Sequence, residues 1–122
     1  MALYVYKKNR CNNVRGDLTV PAFLTKKEVY EWIRTRRKTM ELRRGKSQNG
    51  EQIAFLNGRN ESVKGRILRR QEGRLEEVLN AGTFKKIIPI ANSLDEAKAF
   101  IKQIYPQTDG TFTTYEFELH TK

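Results

Sequence analysis

Apolar and polar residues alternate with a period of two in several stretches of the chain. This period gives a strand one apolar face and one polar face, and it is strictest near the C-terminus. The strands predicted in this way cover residues 3–5, 38–43, 52–56, 62–70 and 113–120. The Asn57-Gly58 pair is a hairpin turn signal between the third and the fourth of them.

Two of these strands have faces of clearly different character. In the last strand Tyr115, Phe117 and Leu119 are predicted to face the core, and the polar residues between them, Thr114 included, are predicted to face outward. The strand over residues 62–70 is predicted to have a basic face. That face carries Lys64, Arg66, Leu68 and Arg70.

Capping patterns and helical spacing predict three helices. Thr25-Lys26-Lys27-Glu28 is a capping box that starts a helix ending near Arg36. A short helix is predicted over residues 75–79. Ser93-Leu94-Asp95-Glu96 is a second capping box, and Pro106 must end the helix that it starts. The buried stripe of this last helix is predicted to be Leu94, Ala97, Ile101 and Ile104.

Length and composition restrict the class of protein. The chain has 122 residues, of which 38% are hydrophobic, and the element pattern predicts one α+β domain, a small barrel of about five or six strands with about three helices. The apolar stretches are far shorter than the roughly 20 residues of a membrane span. The N-terminus is apolar first and basic second, unlike a secretory signal, so a cytoplasmic location is predicted. One cysteine, Cys11, and one histidine, His120, cannot form a common zinc site, and we expect no metal or cofactor.

The positive charge is concentrated in the middle of the chain. Of the net charge of +10, residues 1–33 contribute +3, residues 34–74 contribute +9 and residues 75–122 contribute −2. Such asymmetry produces a field over one surface that attracts a polyanion. Arginine predominates there, and its guanidinium binds phosphate in a bidentate manner and stacks on bases. Nucleic acid is therefore the predicted partner, and a solvated basic face is the alternative.

A motif at the junction between the first helix and the next strand is more specific. Residues 36–43 read Arg-Arg-Lys-Thr-Met-Glu-Leu-Arg. This run resembles the Gly-x-Lys-Thr-x-Glu-x-Arg signature of the ASCH domain family, the ASC-1 homology domains of the PUA-like superfamily. Residues 50–55, 63–79 and 101–106 resemble later motifs of that family in the same order, so that the similarity covers residues 24–120 of a single domain, 1–122. The resemblance implies a six-stranded PUA-like β-barrel with a cleft for RNA or modified nucleosides.

On this basis we expect a nucleic-acid-binding domain with a basic cleft, and the resemblance favours RNA over DNA. The residues expected to form the interface are Arg36, Arg37, Lys38, Thr39, Glu41, Arg43, Arg44, Lys64, Arg66, Arg69 and Arg70. If Glu41 and Arg43 share one strand face, their side chains are close enough to pair. Glu41 is then placed to accept from the amine of a base.

The sequence departs from the family at three positions. Arg36 stands where the family usually has Gly, and if the backbone there needs a positive φ, arginine costs about 1 kcal/mol and adds a cation to the cleft entrance. The branch that hydrolyses N4-acetylcytidine uses a Lys, a Thr and a distant Glu. Lys38 matches the Lys, but Glu41 occupies the Thr position and Ile90 lies near the position of the distant Glu. That activity is therefore not carried over.

Three alternatives stay open. A small hydrolase acting on RNA or modified nucleosides, a ribonuclease or an amidohydrolase, would use Lys38 and Glu41 as an acid/base pair. A basic surface that binds an acidic protein is the second alternative. In that case heparin, but not RNA, competes with the protein partner for binding. The third alternative involves no ligand. In it Lys38, Glu41 and Arg43 form a buried polar network that holds the barrel mouth shut.

Overall fold

The computed structural model describes residues 21–58 and 61–120. Its strands are β1 (Ala22–Leu24), β2 (Met40–Arg44), β3 (Gln52–Asn57), β4 (Glu61–Gly73) and β5 (Phe112–Leu119). Its helices are α1 (Lys27–Arg34), α2 (Leu75–Val78), α3 (Phe84–Ile87) and α4 (Leu94–Ile104). Within the described ranges no helix combines the length and the apolar character that crossing a bilayer requires. The strand predicted over residues 3–5 and Cys11 lie outside these ranges.

The five strands form one sheet in the order β1-β3-β4-β5-β2. β1 runs parallel to β3, and every other neighbouring pair is antiparallel. The sheet is curled into a half-barrel, and the predicted α+β class and small barrel-like shape are confirmed. β1 was not predicted, because three residues are too few for an alternation to be recognised. The described residues contain four helices where about three were expected.

Each face of the sheet has its own hydrophobic core. The inner core consists of Phe23, Ile53, Phe55, Tyr115 and Phe117 of the sheet and Ile33 of α1. On the outer face, residues of β2 and β5 pack against α2, α3 and α4. The first half of β5 is therefore buried on both faces, and Thr113 and Thr114 are both buried. The prediction that Thr114 faces outward is wrong, because the helices between β4 and β5 cover that face.

The start of α1 differs from the predicted capping box. The Thr25 hydroxyl donates to the Leu56 carbonyl of β3 at 3.1 Å, and the Thr25 N–H donates to the same oxygen at 2.9 Å. Lys26 is the N-cap and makes no capping hydrogen bond with its side chain. Thr25 thus attaches the start of the helix to the sheet, a long-range role that a local pattern does not reveal.

The last helix is closer to its prediction. The Ser93 hydroxyl accepts from the Glu96 N–H at 3.1 Å and caps α4, as the second capping box predicted. Ile104, predicted to be buried, is 42% exposed. Phe100 packs instead against Trp32 of α1, with the ring centres 6.1 Å apart. The buried stripe is therefore rotated toward α1.

β4 continues beyond its predicted end and contains a β-bulge. Its pairing with β5 shifts register between Ile67 and Arg69, which makes Leu68 the extra residue. Beyond the bulge the two faces exchange, and Arg70 lies opposite the inward-facing Tyr115. The prediction that Arg70 shares the basic face of the strand is therefore wrong.

Candidate functional site

The C-terminal end of α1 positions the arginine-rich junction. Among the described residues, Arg36 is the one non-glycine residue with a positive φ, 65°. Its N–H donates to the Ile33 carbonyl at 2.9 Å, and the Arg37 N–H donates to the Trp32 carbonyl at 2.8 Å. These two bonds form a Schellman motif, in which the left-handed position is usually glycine. The sequence raised the question of a positive φ at Arg36, and the backbone there does have one.

Lys38 follows this motif and is buried, with 4% of its surface exposed. Its N–H also donates to the Trp32 carbonyl, at 3.0 Å. Its Nζ donates to the Ile87 carbonyl of α3 at 2.7 Å and lies 3.4 Å from Glu41 Oε1. That carboxylate oxygen is fully buried. The Lys38 ammonium is therefore fixed between a helix carbonyl and a buried anion.

Glu41 and Arg43 share the inner face of β2 and form the predicted pair. Arg43 Nε donates to Glu41 Oε2 at 2.6 Å, and Arg43 Nη2 donates to the Leu24 carbonyl of β1 at 3.2 Å. The Arg43 guanidinium lies 4.3 Å from the centre of the Phe23 ring, a cation–π contact. Because β1 and β2 are the two edges of the sheet formed by the described residues, Arg43 links them and closes the half-barrel on this side.

Burial and charge shift the pKa values of this network. Burial lowers the pKa of Lys38, although the charge of Glu41 opposes the shift. Burial alone would raise the pKa of Glu41, but the charges of Arg43 and Lys38 outweigh it and keep this pKa below its ordinary 4.5. Glu41 is therefore an anion at neutral pH, and Lys38 releases its proton more readily than an exposed lysine.

A cleft of about 570 Å³ opens beside this network. It lies between the end of α1, the junction that follows, β4 and the end of β5. Its lining residues include Arg36, Lys38, Thr39, Arg66, Glu118 and His120, and apolar contacts come from Ile33, Phe117 and Leu119. The cleft therefore combines an apolar floor with a mainly basic rim, which suits a flat, partly apolar ligand that carries negative charge.

The cations at the cleft differ in how they are paired. Arg66 Nη2 lies 2.6 Å from Glu118 Oε2, and both side chains are about half exposed. His120 Nε2 lies 2.7 Å from Gln52 Oε1. Within the described residues the Arg36 side chain makes no hydrogen bond or ion pair. Arg36 is thus a cation of the rim whose charge is not offset by a partner in residues 21–58 and 61–120.

The remaining predicted interface residues fall into two groups. Arg37 is exposed at the junction, and Lys64 and Arg69 are exposed on β4. By contrast, Arg70 donates to the carbonyls of Gln48 and Gly50, and Arg44 donates to the carbonyl of Gln107. The side chains in this second group hold loops in place. With Lys38, Glu41 and Arg43 in the buried network, five of the eleven predicted residues have a structural role in the fold.

Two polar cleft residues were not predicted as part of the site, Glu118 and His120. The alternation in the last strand placed both on its outward face, but their approach to the end of α1 depends on the curl of the sheet. In residues 21–58 and 61–120 no group of three or more His, Cys, Asp or Glu side chains is placed to hold a metal ion.

Comparison with known proteins supports the fold alone. No family model matches the chain, and no curated protein matches it. Four chains among the solved structures match. One is the crystal structure of a hypothetical protein, PH0355, with a TM-score of 0.65 and 16% sequence identity, and the match covers 80% of this chain and 95% of that one. The shared feature is the small α+β barrel-like architecture.

Proposed function

We propose that this chain is a nucleic-acid-binding domain of the ASCH type, PUA-like in fold, and that it binds RNA in the basic cleft. The observation that carries the proposal is Arg36, which lies at the cleft rim in a left-handed conformation and has no side-chain partner within the described residues. Backbone strain of this kind is found most often at functional sites. A guanidinium held there offers a ligand its full charge and both of its donor edges.

The surroundings of Arg36 support an extended anionic ligand. Arg37 lies next to it in the chain, and Arg66 of β4 also lines the cleft. Lys64 and Arg69 extend the positive surface along β4. The apolar floor near Phe117 suits a base, since nucleic acid presents flat apolar rings between its phosphates.

Fluorescence-anisotropy titration of labelled single-stranded RNA, duplex RNA and DNA at several salt concentrations tests this proposal. We expect single-stranded RNA to bind with log K falling linearly with log salt, with a slope of about −2 for three phosphate contacts. An affinity that does not change with salt, or the absence of binding to all three nucleic acids, contradicts the proposal.

Removal of the Glu118 carboxylate is expected to strengthen binding. Glu118 competes with phosphate for Arg66, and exposed pairs of this kind contribute little to stability. Glu118→Gln therefore raises RNA affinity about three-fold in the same titration, with the melting temperature nearly unchanged. Glu76→Gln is the matched control, because Glu76 pairs with Arg74 on an exposed surface away from the cleft. Equal gains in both variants would show an effect of net charge alone.

A hydrolase acting on RNA or modified nucleosides is the second candidate. The observation that favours it is Lys38, which lines the cleft while burial lowers its pKa, as a general base requires. Glu41 would then orient the Lys38 amine, whose Nζ lies 3.4 Å from its carboxylate. Intact RNA on a denaturing gel after prolonged incubation, together with unchanged acetylated nucleosides, contradicts this candidate.

A further inference from the structure

Leu68 is an apolar residue in an unusual position. It is the extra residue of the bulge in β4, and 50% of its surface is exposed. Most exposed residues of β4 are polar or charged, and a leucine on such a strand gains nothing from contact with water. Bulges occur often beside functional sites, where they redirect a side chain. Leu68 therefore offers an apolar contact to a ligand on the surface of β4.

Cations flank Leu68 on both sides. The Arg66 and Arg69 side chains are 55% and 72% exposed. Arg69 Nη2 lies 3.4 Å from Glu116 Oε1, but the same carboxylate also lies 3.1 Å from Lys86 Nζ. One anion thus serves two cations, and positive charge is left over beside Leu68. The surface order along β4 is cation, apolar residue, cation.

We propose that Leu68 contacts a base of a bound single strand while Arg66 and Arg69 hold the phosphates on either side of it. This rests on the proposed function and extends the interface beyond the cleft, since Arg66 belongs both to the cleft rim and to this surface. The order of the residues along β4 supports the assignment, because each base of a single strand is attached between two phosphates, as Leu68 lies between two cations. An unstacked base provides the flat apolar surface that an exposed leucine lacks in the free protein.

Substitutions at Leu68 separate this contact from the electrostatic ones. In anisotropy titrations with labelled single-stranded RNA, Leu68→Ser is expected to lower the affinity about five-fold with an unchanged salt slope, because an apolar contact releases no counterion. Arg69→Ala is expected to make the slope shallower by about 0.7, the value for one phosphate contact. Leu68→Phe is expected to bind at least as tightly as the native chain, since an aromatic ring stacks better on a base. Ile104→Ser, with a similar exposure at the end of α4, is the matched control.

A strand that carries base-free spacers tests whether a base is the partner. If a spacer removes the contacted base, the native chain and Leu68→Ser bind that strand with equal affinity. A five-fold difference that persists on every spacer-containing strand would overturn the proposal, because the effect then does not pass through a base. Full affinity of Leu68→Ser would also overturn it, while salt-dependent binding by the native chain would leave the proposed function intact. If the native chain binds no RNA, both proposals are wrong.

Discussion

Glu41→Gln is expected to lower the free energy of unfolding by about 3–5 kcal/mol, because it leaves a buried cation without its anion. Glu41 lies between Lys38 Nζ at 3.4 Å and Arg43 Nε at 2.6 Å, and Lys38 is almost completely removed from water. Glutamine keeps the volume of the side chain but supplies no charge. Its amide N–H groups would also face two cationic donors.

Urea denaturation monitored by Trp32 fluorescence measures this loss. The informative control is the triple variant Lys38→Met, Glu41→Met and Arg43→Met, which removes the whole charged network and keeps the space filled. Since replacing a whole buried charge network costs much less than breaking it, the triple variant is expected to be more stable than Glu41→Gln. Equal losses in the two variants would show that the three charges are not coupled.

The acid limb of the stability curve provides a second measurement on the same variant. The pKa of Glu41 is lowered on folding, so its contribution is fully present above pH 4.5 and is lost as the pH falls through the lowered folded value. Exposed glutamates with lowered pKa values, Glu31, Glu72 and Glu76, are retained in both proteins. The native chain should therefore lose more stability below pH 4.5 than Glu41→Gln does.

Local signals in the sequence were sufficient for some parts of the fold. The Ser93 cap and the stop before Pro106 define α4 because both act within one turn of a helix. The pairing of Glu41 with Arg43 also follows from spacing, since residues two apart on a strand share a face. In these cases the partners are close in sequence, and the chemistry of a few residues decides the geometry.

The site itself depends on contacts between residues distant in sequence. That Arg43 reaches the Leu24 carbonyl follows from the curl of the sheet, which brings β1 beside β2. The position of Arg70 depends on a one-residue bulge, which exchanges the two faces of β4 without interrupting the alternation in the sequence. Glu118 enters the cleft because the end of β5 approaches α1. Periodicity specifies which face a residue is on, but not what lies opposite that face.

Arg36→Gly is expected to change stability and binding in opposite directions. Glycine adopts a φ of 65° without the steric cost that arginine has there, so the free energy of unfolding should rise by about 1 kcal/mol. The same substitution removes from the cleft rim a guanidinium that has no side-chain partner in the described part of the chain. Loss of one charged contact to phosphate should lower RNA affinity about ten-fold.

Urea denaturation and RNA titration on Arg36→Gly, Arg36→Asn and Arg37→Gly test this trade-off. Asparagine tolerates the left-handed conformation, so Arg36→Asn should gain part of the stability and lose the same affinity. Arg37 has no positive φ, so Arg37→Gly removes an adjacent charge without any gain in stability. If Arg36→Gly is no more stable than the native chain, the strain is absent. If it binds RNA with full affinity, Arg36 does not contact the ligand. If Arg36 lowers the stability of the fold and raises its affinity for RNA, the presence of Arg36 is explained by binding rather than by folding. Both quantities must therefore be measured on the same variant.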